Sequence, residues 1–207
     1  MEGVDLKIAH SKNRDQDLWD NFRNGSKDAF SEIYNKYAGK LILYLQRFTA
    51  DQELVEECIQ DFFVELWLHR QNLSSIDHIS NYLYKSVRRK ILRLIKKQQN
   101  RSRKDDADSF ELPFETLMIS SEENLQSHAA IQKVMEQLSQ LEKEIIYLKY
   151  YQDNTIKEIT YILNLDKKVI YNALGKAMIK FRKFLHKPFS SANYYIFITG
   201  PVFLSFV

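Results

Sequence analysis

Apolar positions along this chain recur every three or four residues through long stretches, the period of helices that bury one face. Two such blocks stand out, from about Leu18 to Gln98 and from about Leu125 to Lys187. In the first, Leu18, Trp19 and Phe22 open a helix, and Gly25-Ser26 stops it and caps the next. Phe30, Ile33, Tyr34, Tyr37, Leu41, Leu45 and Phe48 then follow at helical spacing as core. A third helix, Asp51 to Trp67, points Leu54, Val55, Cys58, Ile59, Phe62, Phe63, Leu66 and Trp67 inward. A fourth, Asn81 to Lys97, packs through Val87, Ile91, Leu94 and Ile95.

The second block carries two short helices joined by a tight turn between Asn154 and Lys176. Thr155 is placed to cap the first, with Glu158 three residues on to close a capping box. Ile159, Ile162 and Leu163 form its inward stripe. Asn164-Leu165-Asp166 reads as the turn, with Leu165 buried at the corner and Asp166 capping the next helix. That helix is expected to bury Val169, Ile170, Ala173, Leu174 and Ala177 and to present Lys167, Lys168, Tyr171, Asn172 and Lys176 outward. A helix-turn-helix of this kind sets its second helix in the major groove, where Lys and Asn reach phosphates and base edges.

With five Gly and three Pro in 207 residues, little interrupts these helices, and the predicted class is all-α: two small helical domains joined by a flexible linker. The segments read as a polar N-terminus (1–17), a first helical domain (18–98), a linker (99–124), a helix-turn-helix domain (125–187) and an apolar tail (188–207). The linker is rich in charge and Ser-Glu, with an apolar island at Phe110, Leu112, Phe114, Leu117 and Met118. The single cysteine excludes a disulfide framework and fits a reducing cytoplasm. No secretory signal is visible, and the tail, broken at Gly200-Pro201, is too short for a transmembrane span. The five histidines lack ligand spacing, and no phosphate loop or catalytic constellation appears. The sequence thus points to no enzyme, no cofactor, no metal and no small-molecule substrate.

A net charge of +3 says less than its distribution. The third helix carries Glu53, Glu56, Glu57, Gln60, Asp61 and Glu65 outward with no basic residue among them, forgoing the usual i,i+4 pairs. Such a strip is either a solvated face or one that waits for a basic partner. The fourth helix reverses the sign with Lys85, Arg88, Arg89, Lys90, Arg93, Lys96 and Lys97, of which Lys85, Arg89, Arg93 and Lys96 share one stripe. Tyr82 and Tyr84 open that helix, and aromatics interleaved with cations suit a surface that neutralises phosphates and stacks bases.

In combination these segments resemble the extracytoplasmic-function (group 4) members of the sigma-70 family of bacterial RNA polymerase. Val55-Glu56-Glu57-Cys58-Ile59-Gln60-Asp61-Phe62-Phe63-Val64-Glu65-Leu66-Trp67 is similar to the family's region 2.2 signature. Asn81 to Lys90 is similar to regions 2.3 and 2.4, and Leu138 to Leu185 to region 4. The resemblance implies an alternative sigma factor that directs promoter recognition, melting and initiation. It implies that Glu56, Glu57, Gln60, Asp61 and Glu65 dock on the beta-prime clamp helices of core RNA polymerase. It implies that Tyr82, Lys85, Arg88, Arg89 and Arg93 engage the −10 element of promoter DNA. Lys167, Lys168, Tyr171, Asn172 and Lys176 would read the −35 element, and region 4 would also contact the beta flap. Gly175 interrupts a position that is commonly Arg. An anti-sigma factor is a further expected partner, and the tail can bind one, pack on the second domain or self-associate. Two other readings stay open on the residues alone: a stand-alone helix-turn-helix regulator, and a helical protein-interaction adaptor.

Overall fold

The computed structural model describes residues 14–102 and 133–185, which fall into two compact units, one within Met1–Ser109 and the other within Phe110–Val207. The apolar island of the expected linker and the C-terminal tail lie outside the described residues. Every regular element among the described residues is helical.

The N-terminal unit comprises α1 (14–23), α2 (Lys27–Leu45), α3 (Gln52–Leu68), a 3-10 turn (Arg70–Asn72) and α4 (Ile79–Ser102). Gly25 ends the first helix at φ +92°, a value open to Gly at little cost, and Ser26 Oγ then accepts the Ala29 amide at 3.2 Å to cap α2. Asp51 caps α3 by accepting the Leu54 amide at 3.0 Å, and it also accepts from Gln98 of α4 at 3.1 Å. Those two bonds hold its carboxyl below the ordinary value.

Helices α2, α3 and α4 pack against one another around Ile33, Leu41, Tyr44, Leu45, Leu83 and Ile91, all fully buried. Each such side chain contributes about 1.5–3 kcal/mol by leaving water. Trp19 of α1 is also fully buried, and its indole N–H donates to the Ser74 carbonyl at 3.0 Å, fixing the loop between α3 and α4. Five expected core residues are not fully buried. Tyr34 is exposed, its ring edge-on to Phe63 at 4.8 Å, and Phe30, Leu54, Leu94 and Trp67 are half-buried, Trp67 beneath the Arg70 guanidinium at 4.2 Å.

The C-terminal unit comprises α5 (133–137), α6 (Gln140–Ile146), α7 (Ile156–Leu163) and α8 (Lys167–Leu185). A π-helical turn, Tyr147–Tyr151, continues α6 and stacks the rings of Tyr147 and Tyr151 at 5.6 Å. Thr155 and Glu158 form the expected capping box on α7, and Ser139 with Glu142 forms a second on α6. Asn164 sits in the left-handed region at φ 56°, and the Leu165 amide reaches back to the Thr160 carbonyl at 3.2 Å, closing α7 by a Schellman-type bond. Val134, Leu138, Ile146, Ala177 and Phe181 make one core cluster between α5, α6 and α8. Val169 is exposed instead of buried, because Ile170, about 100° further round the helix, takes the inward position. Leu165 at the corner is half-buried.

Candidate protein-docking and nucleic-acid interfaces

The outward face of α3 is acidic as expected, with Glu53, Glu56, Glu57, Gln60, Asp61 and Glu65 all exposed. Its C-terminal end, however, holds two apolar side chains. Val64 is 58% exposed and Leu68 66% exposed, and they follow Gln60 and Glu57 down the same side at i+4 and i+11. Exposed apolar side chains beside charged ones suit a protein interface. These two residues were legible in the sequence as apolar positions on the polar side of the wheel, yet reading the face by charge alone passes over them.

The strip is also not wholly unpaired. Lys90 of α4 places its ammonium 2.7 Å from Glu65 Oε1 and 3.6 Å from Asp61 Oδ2. The acidic helix lacks internal partners because one of its cations arrives from another helix, a pairing that i,i+4 spacing does not reveal. Glu57 lies one turn before Asp61, while Glu56 and Gln60 are further round the helix from this pair.

Beside Lys90 a groove of about 240 Å³ opens between α3 and α4. Its walls are Phe62, Glu65, Leu66, His69 and Leu73 on one side and Tyr82, Ser86, Arg89, Lys90 and Arg93 on the other. Three of the residues expected to meet the −10 element, Tyr82, Arg89 and Arg93, are therefore brought to one place. Arg89 and Arg93 are exposed, and Tyr82 is half-buried with its ring 5.1 Å from Trp19. Lys85 and Arg88 are half-buried and do not line the groove; Arg88 is turned about 100° from Arg89. Tyr84 corrects the expected aromatic pair: it is buried, 5.0 Å from Tyr44, because two residues along a helix face nearly opposite ways.

On α8, Lys167, Lys168, Tyr171, Asn172 and Lys176 are all exposed, as expected for a reading helix. The Lys167 ammonium lies 5.6 Å from the Tyr171 ring centroid, which stiffens both long side chains. The first turn of α8 carries two lysines and no acidic residue, while Asp166 at its N-terminal boundary offsets part of the positive dipole end. Gly175 follows Tyr171 and Asn172 on the same side, exposed, with nothing within 4 Å of where a Cβ would stand.

Among the described residues no helix is long and apolar enough to cross a membrane, and no group of three or more His, Cys, Asp or Glu side chains is placed to hold a metal ion.

The family model described as Sigma-70 region 2 matches residues 33–101, which contain most of α2 and nearly all of α3 and α4. The ECF RNA polymerase sigma factor SigM of Bacillus subtilis is 22% identical over 148 residues, covering 70% of this chain and 88% of its own. Among solved structures, CnrH in complex with the cytosolic domain of CnrY superimposes with a TM-score of 0.57 at 18% identity, over 83% of this chain and 96% of that one. The sigma factor RpoE from Bartonella quintana, solved with the anti-sigma factor NepR, gives 0.56 at 15% identity over 79% and 100%. Both likenesses concern the fold.

Proposed function

The chain belongs to the extracytoplasmic-function group of the sigma-70 family, and we propose that its two units divide the work of promoter recognition between them. It is an alternative sigma factor that directs RNA polymerase to initiate transcription. It acts in the cytoplasm through binding energy, with no covalent step, no cofactor and no small-molecule substrate.

The observation that carries this reading is the meeting of two unlike surfaces in the N-terminal unit. The outward face of α3 is acidic and carries Val64 and Leu68 exposed at its C-terminal end, which suits a basic protein partner. The adjoining groove is lined by Tyr82, Arg89 and Arg93, which suits a sugar–phosphate strand with an unstacked base. Glu56, Glu57, Gln60, Val64 and Leu68, with Asp61 and Glu65 at the edge, dock on the beta-prime clamp helices of core polymerase. The groove, with Lys85 and Arg88 on its flank, takes the −10 element. In the C-terminal unit, Lys167, Lys168, Tyr171, Asn172 and Lys176 of α8 face the −35 element, and this unit also meets the beta flap. The similar structure of RpoE was solved with the anti-sigma factor NepR, which supports an anti-sigma factor as a further partner.

The docking face is tested by measuring affinity for purified core polymerase. Glu57→Lys and Leu68→Ser should each weaken it by about tenfold or more, the effect of losing a central contact. Both positions are exposed, so thermal stability should stay within about 0.5 kcal/mol of wild type. Unchanged affinity in both variants would remove α3 as the docking face.

A further inference from the structure

Lys90 belongs to both surfaces of the N-terminal unit. Its side chain lines the groove with Arg89 and Arg93, while its ammonium is held on Asp61 and Glu65 of the docking face. The lysine side chain is 12% exposed, whereas the two carboxylates are 57% and 59% exposed. A partner arriving on α3 therefore meets the carboxylates first and the ammonium hardly at all.

We propose that Lys90 is a positioning residue that couples docking on α3 to DNA binding in the groove. In the free chain Asp61 and Glu65 hold it, and its charge is spent on them. Basic side chains of a docking partner compete for the same two carboxylates and repel the ammonium. Lysine carries a compact charge on a flexible four-carbon stem, so losing these partners frees it to turn into the groove beside it. There it would crowd Arg89 and Arg93 unless a phosphate is present, so release favours DNA over an empty groove. By linkage the coupling is reciprocal: DNA in the groove strengthens docking by the same factor.

This inference rests on the reading of α3 as docking face and of the groove as DNA site, and its test separates the two. Binding of a labelled single-stranded oligo(dT) is measured by fluorescence anisotropy on the full-length chain, at fixed low salt. Four proteins form a double-mutant cycle: wild type, Asp61→Asn/Glu65→Gln, Lys90→Met, and the triple variant. Removing the two acids should tighten binding about three- to tenfold when Lys90 is present, and by less than about twofold in the Lys90→Met background. Equal gains in both backgrounds would show bulk charge alone and overturn the proposal, as would no gain at all. Lys90→Met keeps the apolar stem, and melting curves identify any variant that has lost its fold.

The second arm compares Lys90→Met with wild type, free and with core polymerase bound. The substitution should reduce oligo(dT) affinity in the complex by a factor at least about threefold larger than in the free chain. An equal loss in both states would overturn the coupling. Failure of the wild-type chain to bind core would overturn the functional reading, and the coupling with it. The cycle on the free chain would still decide whether Asp61 and Glu65 restrain Lys90.

Discussion

Lys180, deep in α8, donates to Glu142 Oε2 at 2.5 Å and to the Gln137 carbonyl at 3.0 Å, tying the start of α6 to α8. Glu142 also accepts the Ser139 amide at 2.8 Å, so one buried carboxylate serves both the capping box and the inter-helix tie. Burial alone would raise this carboxyl, but the Lys180 and Ser139 hydrogen bonds and the Lys180 charge outweigh it, and it lies below its ordinary value.

A carboxyl lowered in the fold adds stability above its unfolded value, near pH 4.3, and that stability is lost as pH falls through the folded value. Lys180→Met should therefore destabilise the C-terminal unit at neutral pH by about 1–3 kcal/mol. It should also flatten the loss of stability as pH falls below about 4.3. Denaturant melts of both proteins across that range check the sign. A variant as stable as wild type at pH 7 would mean that the tie adds nothing beyond solvent.

Two glycines should respond to alanine in opposite directions. Gly25 stands at φ +92°, and the Arg70 guanidinium lies 3.6 Å from where its Cβ would stand, so Gly25→Ala should cost about 1–2 kcal/mol. Gly175 lies in ordinary helix with open space around it, and Gly175→Ala should stabilise by up to about 1 kcal/mol. Thermal melts of the two variants should shift to opposite sides of wild type. A shift of the same sign would contradict the backbone assignment at one of them.

Cys58, fully buried on the inner side of α3, has its thiol pushed up to about 12, chiefly by burial. At pH 8 almost none is thiolate, and the thiolate is the reactive form. An alkylating reagent should label the native chain slowly and the denatured chain quickly. Rapid native labelling would mean that α3 opens readily.

The helical periods, caps and turn were readable because each depends on neighbours within about one turn. Thr155 with Glu158, Ser26 after Gly25, and the outward set on α8 are all of that kind. What escaped depends on a second helix. The burial of Tyr84 against Tyr44 and the capture of Asp61 and Glu65 by Lys90 are contacts between elements far apart in sequence. The exposure of Val169 reflects a smaller matter: two adjacent apolar residues compete for one inward position, and Ile170 takes it. The groove joins residues from both groups. Arg89 and Arg93 share a stripe readable along α4, while Phe62, His69 and Leu73 come from α3 and the loop after it.

The most direct measurement is in vitro transcription on fragmented genomic DNA of the source bacterium, with purified core polymerase, with and without the chain. New start sites should appear only when both are present, and the sequences upstream should share −10 and −35 elements. A Lys168→Ala/Asn172→Ala variant should weaken use of the −35 element selectively. No initiation, together with tight sequence-specific duplex binding by the chain alone, would contradict the account and make the protein a stand-alone regulator.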